Sequence, residues 1–198
     1  MKLGFIFECW IDGPDCKVLE YLVNWITPDY QFVPVTLGNK GVLLEQCADS
    51  TYSLFQTGCN TVFIVWDLTP KYPNCACIVE ERNLIRQQLI DKHIPLDNVQ
   101  FIGIVHELES WLIADVSAIE RVLSTPAHPV SITNIHYPDR EHNPKRKLRQ
   151  FFNQHGGTDY NDFDHALRII KHVQRPKDLR RSDSFKRFYL KLTGQQLK

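Results

Sequence analysis

Val99-Gln100-Phe101-Ile102-Gly103-Ile104-Val105 leads directly into His106-Glu107-Leu108-Glu109-Ser110-Trp111-Leu112-Ile113-Ala114-Asp115, and the rest of the chain is organised around this junction. The first part is an apolar run of strand length. The second part carries two carboxylates and then a helical pattern. Open α/β sheets place their chemistry beyond the carboxyl ends of parallel strands. Glu107 and Glu109 are therefore candidate functional residues.

Two other apolar runs end in the same way. Phe5-Ile6-Phe7 stops at Glu8, and Val62-Phe63-Ile64-Val65-Trp66 stops at Asp67. A single acid at a strand end is more often a helix cap than a ligand. Three strand ends with acids instead predict a divalent-cation site, because neighbouring strands lie about 5 Å apart.

The predicted cation is Mg²⁺ or Mn²⁺, since hard cations prefer oxygen ligands. The candidate catalytic and metal-binding residues are Glu8, Asp67 and Glu109. Glu107 is a further metal candidate, either as a residue that supports the direct ligands or as a ligand of a second metal ion. His106 beside them could assist as acid or base, or form a structural hydrogen bond.

The segments between these runs alternate helix and strand. Apolar spacing predicts a helix after Pro14, a strand over residues 30–37, and helices over residues 40–57 and 77–92. Pro34 favours an edge position for the second strand. The Glu109 helix is predicted to continue through Leu123. This order predicts an α/β fold with four mostly parallel strands covered by helices.

Residues 126–198 read as a helical and basic extension packed on a core formed by residues 1–125, giving a single domain overall. A short strand is predicted at 130–132. Helices are predicted over residues 147–154, 163–173 and 182–192.

Composition excludes several classes of protein. Apolar residues make up 43% and charged residues 23%, as in ordinary globular proteins. No apolar run approaches the ~18–20 residues of a membrane span, and the first residues lack a signal-peptide pattern. A cytoplasmic protein without membrane association is therefore expected. Cys75 and Cys77 lack a second ligand pair and indicate zinc only weakly.

Charge is unevenly distributed although the net charge is zero. Residues 1–125 contain 8 Lys and Arg against 16 Asp and Glu, and residues 126–198 contain 15 against 7. This asymmetry suits a nucleic-acid or phosphate-bearing partner, or mutual neutralisation of the two parts. Candidate phosphate-binding residues are Lys145, Lys147 and Arg187, for which the alternative is a solvated helix face.

Several of these motifs resemble Toprim proteins. Phe7-Glu8, followed by Asp12-Gly13-Pro14-Asp15, resembles the Toprim strand that ends in Glu before a glycine turn. Asp67-Leu68-Thr69 resembles the Toprim Asp-x-Asp motif, with Thr69 in place of the second Asp. Glu109-x-Trp111-Leu112 and Ser184-Phe185-x-x-Phe188 resemble a family of small stand-alone Toprim-like proteins of unknown function, related to RloB and OLD-type nucleases.

The resemblance implies a Toprim-like (Rossmann-like) α/β fold. It also implies metal-dependent phosphodiester hydrolysis on nucleic acid, by a nuclease or nuclease subunit that acts beside an ATPase partner in anti-phage defence. The chain has no Walker A motif, so ATP would belong to the partner. Because Thr69 replaces the second Asp, one metal position lacks a carboxylate. The turn between Glu8 and Gly13 is also longer than the usual Toprim turn. Two alternatives therefore stay open: an inactive Toprim-like binding or sensor subunit, and metal-dependent phosphotransfer on nucleotides. The sequence leaves the oligomeric state open.

Overall fold

Four apolar segments in the first half of the chain pair as one parallel sheet with strand order β2-β1-β3-β4. The computed structural model describes residues 1–198. The chain divides into two compact units, Met1–Ile104 and Val105–Lys198, here called unit 1 and unit 2. The division precedes the Glu109 segment, whereas the sequence analysis placed it at residue 125.

Unit 1 alternates strand and helix throughout, which confirms the predicted α/β class. The strands are β1 (Lys2–Phe7), β2 (Gln31–Thr36), β3 (Thr61–Asp67) and β4 (Val99–Ile104). The helices are α1 (Pro14–Ile26), α2 (Lys40–Gln56) and α3 (Ile78–Asp91). Pro14 begins α1 as predicted, because a helix's first position needs no N–H donor.

The sheet is buried on both faces, as continuous apolar strands predict. On one face, Ile6, Ile64 and Trp66 pack with apolar residues of α2 and α3. On the other face, Phe5 stacks with Phe32 and Phe63, with ring centroids 4.6 and 4.7 Å apart. This packing fixes the strands whose carboxyl ends carry Glu8 and Asp67.

Strand β2 lies at the edge of the sheet, which confirms the interpretation of Pro34. Pro34 is paired in register with Phe5 of β1. Gln31 and Pro34 of this strand are exposed and its other four residues are half-buried, unlike the buried central strands β1 and β3.

Unit 2 is helical, but the predicted helix from Glu109 to Leu123 is broken. It forms α4 (Glu109–Leu112) and α5 (Val116–Leu123). The Asp115 side chain accepts a hydrogen bond from Ser117 N at 3.1 Å and caps α5. This local bond replaces the helical continuation, because an aspartate before a helix satisfies a donor that otherwise has no partner.

The remaining helices of unit 2 are α6 (Pro144–Phe151), α7 (Asp162–His172) and α8 (Asp183–Thr193). They confirm the three predicted helical segments within a few residues. The predicted strand at 130–132 is wrong. Val130 N donates to Ser124 Oγ and Ile132 N to Glu120 Oε1, so side chains satisfy the backbone instead of a partner strand. None of the helices is long and apolar enough to cross a membrane.

Candidate metal centre

Unit 1 brings Glu8 and Asp67 together at the carboxyl edge of the sheet. Phe7 and Val65 are partners in the β1–β3 register, so Glu8 follows one strand where Asp67 ends the other. Asp67 N donates a hydrogen bond to Glu8 Oε1 at 2.7 Å. The sequence prediction that these two strand ends meet is therefore realised in the fold.

The Glu8 carboxylate is poorly solvated. Its second oxygen, Oε2, is buried and has no hydrogen-bond partner. Burial raises the pKa of Glu8 from 4.5 to about 7, although the Lys40 charge and the Asp67 N–H bond oppose the rise and the Glu81 charge adds to it. A buried carboxylate oxygen without a partner needs a proton or a cation.

A small cavity adjoins this carboxylate. Its lining includes Glu8, Asp67 and Asp15. Its volume of about 10 Å³ is close to the room that one water molecule requires. Asp15 lies in the first turn of α1, whereas Asp12 is exposed in the preceding loop with φ of 62°. Of these two acids, Asp15 is therefore the one positioned beside the strand ends.

The donor types fit a hard divalent cation. Mg²⁺ usually takes one or two protein carboxylates, which matches Glu8 and Asp67 with an unpartnered oxygen on Glu8. In neither unit do three or more His, Cys, Asp or Glu side chains form a group that could hold a metal by themselves. Thr69, which stands where the Toprim pattern has a second Asp, is exposed.

A buried ion pair that the sequence analysis did not identify acts electrostatically on Glu8. Lys40 is 8% exposed, and its Nζ lies 3.5 Å from Glu81 Oε1. Glu81 is fully buried and also accepts from Tyr72 N at 2.7 Å and Trp66 Nε1 at 2.9 Å. Glu81 falls on the polar side of α3 by helical spacing, but it is buried because three donors from outside α3 satisfy its charge.

Unit 2 places Glu109 in a cluster of charged side chains. Glu109 is 5% exposed, with Oε1 at 3.3 Å from the Tyr160 hydroxyl and 3.9 Å from Lys145 Nζ. Lys145 Nζ also donates to Asp162 Oδ2 at 2.5 Å. Burial lowers the pKa of Lys145, but the Asp162 bond and the charges of Glu109, Asp162 and Glu107 outweigh it and raise the pKa. The ammonium therefore stays charged.

Glu107 and His106 precede this cluster. Glu107 Oε2 is buried without a hydrogen-bond partner. The His106 backbone has φ of 63°, which is uncommon outside glycine, and its ring meets His142 edge-on with centroids 5.5 Å apart. Glu107 is thus a second carboxylate with an unsatisfied oxygen, in unit 2.

The other predicted phosphate-binding residues have different surroundings. Lys147 Nζ lies 5.3 Å from the centre of the Phe151 ring. Arg187 is exposed on α8. Of the three predicted basic residues, Lys145 is the one held beside a predicted metal ligand, Glu109.

Two motifs of the sequence, Glu109-x-Trp111-Leu112 and Ser184-Phe185-x-x-Phe188, meet in the core of unit 2. Trp111 Nε1 donates to Ser184 Oγ at 2.8 Å, and the indole contacts the rings of Phe185 and Phe188. Asp139 Oδ2 accepts from Ser184 N at 2.9 Å. These aromatic residues are buried and belong to the core of unit 2, so they offer no platform for nucleic-acid bases.

A family model matches residues 62–193, which include β3, Asp67, Glu107, Glu109 and the Trp111–Ser184 pair. Its description is Domain of unknown function (DUF4276). The chain belongs to the DUF4276 family. The DUF4276 match begins at Val62 and so leaves β1 and Glu8 outside the matched residues. No curated protein and no solved structure matches the chain.

Proposed function

We propose that this protein is a Mg²⁺- or Mn²⁺-dependent phosphodiesterase that acts on nucleic acid. The observation that carries the proposal is the Glu8 carboxylate, which lies at the carboxyl edge of a parallel sheet with one buried oxygen lacking a partner. Asp67 N holds the other oxygen, and Asp67 and Asp15 line the same cavity. Oxygen donors at this edge suit a hard cation.

In this proposal Glu8 and Asp67 hold the metal. The bound cation would polarise a phosphodiester and lower the pKa of a water molecule. The Asp67 N–H bond orients the Glu8 carboxylate, and Lys40 reduces the cost of ionising it. In unit 2, Asp162 and Glu109 orient the Lys145 ammonium, which is proposed to bind a substrate phosphate. Lys147 and Arg187 are further candidates for that role.

Charge distribution supports a nucleic-acid substrate. Unit 2 contains 16 Lys and Arg against 11 Asp and Glu, whereas unit 1 contains 7 against 12. A basic unit attracts phosphate backbones, with an affinity that falls as salt rises. We include in this proposal a relation to RloB and OLD-type nucleases, an ATPase partner and a role in anti-phage defence. These three parts rest on the sequence resemblance.

The test combines Mn²⁺ calorimetry with cleavage of single- and double-stranded DNA and RNA, on wild type and Glu8→Gln. Glu20→Gln is the matched control, because Glu20 is exposed on α1. We expect Mn²⁺ binding and cleavage in wild type and control, and a loss of both in Glu8→Gln of at least tenfold. Urea unfolding with chelator confirms that each variant folds.

Glu109→Gln tests the second acid independently. Weaker Mn²⁺ binding in this variant would make Glu109 a ligand, as the sequence analysis predicts. Unchanged Mn²⁺ binding with weaker nucleic-acid binding would instead assign it to orienting Lys145. Wild type that binds no Mn²⁺ at millimolar concentration would overturn the metal-dependent function.

The second candidate function is a non-catalytic binding or sensor subunit. It is favoured by Thr69, which is exposed and stands at the second acidic position of the Asp-x-Asp pattern. Metal binding without cleavage of any polynucleotide or free nucleotide would favour this candidate. Turnover of free nucleotides alone would favour phosphotransfer.

A further inference from the structure

A cavity in unit 2 is lined by four arginines and by none of the predicted metal ligands. Its volume is about 300 Å³, and it adjoins the break between α4 and α5 and the 3₁₀ turn Pro176–Leu179. The basic residues on its wall are Arg121, Arg175, Arg180 and Arg181.

The acids on the wall leave the cavity positively charged. Asp178 Oδ1 pairs with Arg175 Nη2 at 3.0 Å. Asp115 is buried and caps α5 by accepting from Ser117 N. Arg121, Arg180 and Arg181 form no ion pair. Four arginines against two aspartates therefore leave an excess of two positive charges around the cavity.

Hydrogen bonds to neutral oxygens hold the three guanidinium groups that form no ion pair. The acceptors are His172 O for Arg121 at 2.7 Å, Lys177 O for Arg180 at 3.0 Å, and Asn134 Oδ1 for Arg181 at 2.7 Å. A guanidinium has five N–H donors, so most donors of each group are not engaged by these bonds. Arginines held in this way lose less conformational entropy when they bind an anion.

The cavity is lined by residues that adjoin two sequence motifs, Glu109-x-Trp111-Leu112 and Ser184-Phe185-x-x-Phe188. Ala114 and Asp115 on its wall follow the Trp111-Leu112 motif, and Arg180 and Arg181 directly precede Ser182. The buried Trp111–Ser184 hydrogen bond joins these two segments. The motifs themselves are buried. Their contact brings Arg180 and Arg181 of one segment next to the break between α4 and α5 in the other segment.

We propose that this cavity binds a phosphate group carried by a ligand of mononucleotide size. A volume of about 300 Å³ is at the lower end of small-molecule pockets. Guanidinium groups bind phosphate through paired N–H donors. The phosphate belongs either to a free nucleotide or to the terminal nucleotide of a nucleic-acid strand. This site is distinct in residues from the proposed metal centre and does not depend on it.

The test is calorimetry on the full chain with chelator present, so that the proposed metal centre is not loaded. The probes are AMP, adenosine, and a 5′-phosphorylated tetranucleotide with its 5′-hydroxyl counterpart. The variants are Arg181→Gln and Arg121→Gln, in case one of them fails to fold. Arg149→Gln is the matched control, because Arg149 is exposed on α6 and is not part of the cavity wall.

We expect AMP or the phosphorylated tetranucleotide to bind wild type and control equally, and to bind either cavity variant at least tenfold more weakly. Adenosine and the hydroxyl-ended strand should not compete. AMP binding alone identifies a free nucleotide, and binding of the phosphorylated strand identifies a strand end. Absence of binding by both phosphorylated probes, or equal affinity in folded cavity variants and control, would overturn the proposal. Glu8→Gln should retain this binding, which separates its outcome from that of the proposed nuclease.

Discussion

Replacing Glu8 with Gln should stabilise the metal-free protein at alkaline pH. Burial raises the pKa of Glu8 from 4.5 to about 7, so the folded state holds this proton more tightly than the unfolded state does. Because one pKa unit corresponds to ~1.4 kcal/mol, ionising Glu8 costs the folded protein roughly 3 kcal/mol once the pH exceeds 7. Glutamine keeps an oxygen for the Asp67 N–H bond and carries no charge.

The sign of this effect fixes its pH dependence. The contribution of Glu8 to the free energy of unfolding is fully present below pH 4.5, where both states are protonated, and is lost as the pH rises through 7. Glu8→Gln should therefore exceed wild type by about 1 kcal/mol near pH 5 and by roughly 3 kcal/mol at pH 8.

Urea unfolding with chelator at pH 5, 6, 7 and 8 measures this difference, and Glu20→Gln serves as the surface control. Added Mn²⁺ should narrow the gap at pH 8, because it stabilises wild type more than Glu8→Gln. A difference between Glu8→Gln and wild type that is the same at every pH would refute the reasoning, since the pKa of Glu8 would then be equal in the folded and unfolded states.

Two further substitutions test the buried polar groups. Lys40→Met should lower the free energy of unfolding by about 3–5 kcal/mol, because Glu81 would keep a fully buried charge without its cation; urea unfolding measures this loss, and adding Glu81→Gln should restore part of it. Ser184→Ala should cost about 1–3 kcal/mol, because the buried Trp111 indole N–H loses its acceptor. A loss below 0.5 kcal/mol in thermal unfolding would show that the indole finds another partner, and Ser53→Ala on the exposed side of α2 is its control.

Sequence periodicity predicted the sheet because its signals are local. Continuous apolar strands, Pro34 at an edge and the acids after β1 and β3 need no knowledge of distant partners. The burial of Glu81 could not be predicted, for the opposite reason. Its position on α3 is polar by helical spacing, but Lys40 and Trp66 reach it from elsewhere in unit 1.

Unit 2 shows where local patterns fail. Asp115 interrupts a continuous apolar periodicity, because its side chain bonds to Ser117 N and begins a new helix. Asp115, five residues before Glu120, was a signal in the sequence that a new helix begins there, since aspartate is a preferred residue at the N-terminal cap of a helix. The environment of Glu109 could not be predicted, because Tyr160 and Lys145 lie 51 and 36 positions further along the chain.

The edge strand β2 has a consequence for self-association. Gln31 N donates to Met1 O and Leu37 N to Phe7 O, so the odd-numbered residues of this strand direct their N–H groups toward β1. The even-numbered residues direct theirs away from the sheet, and Pro34 is the middle one of the three. Proline has no N–H to donate. A strand from another molecule that aligned along this edge would lose the central hydrogen bond of its ladder, which disfavours growth of the sheet into aggregates.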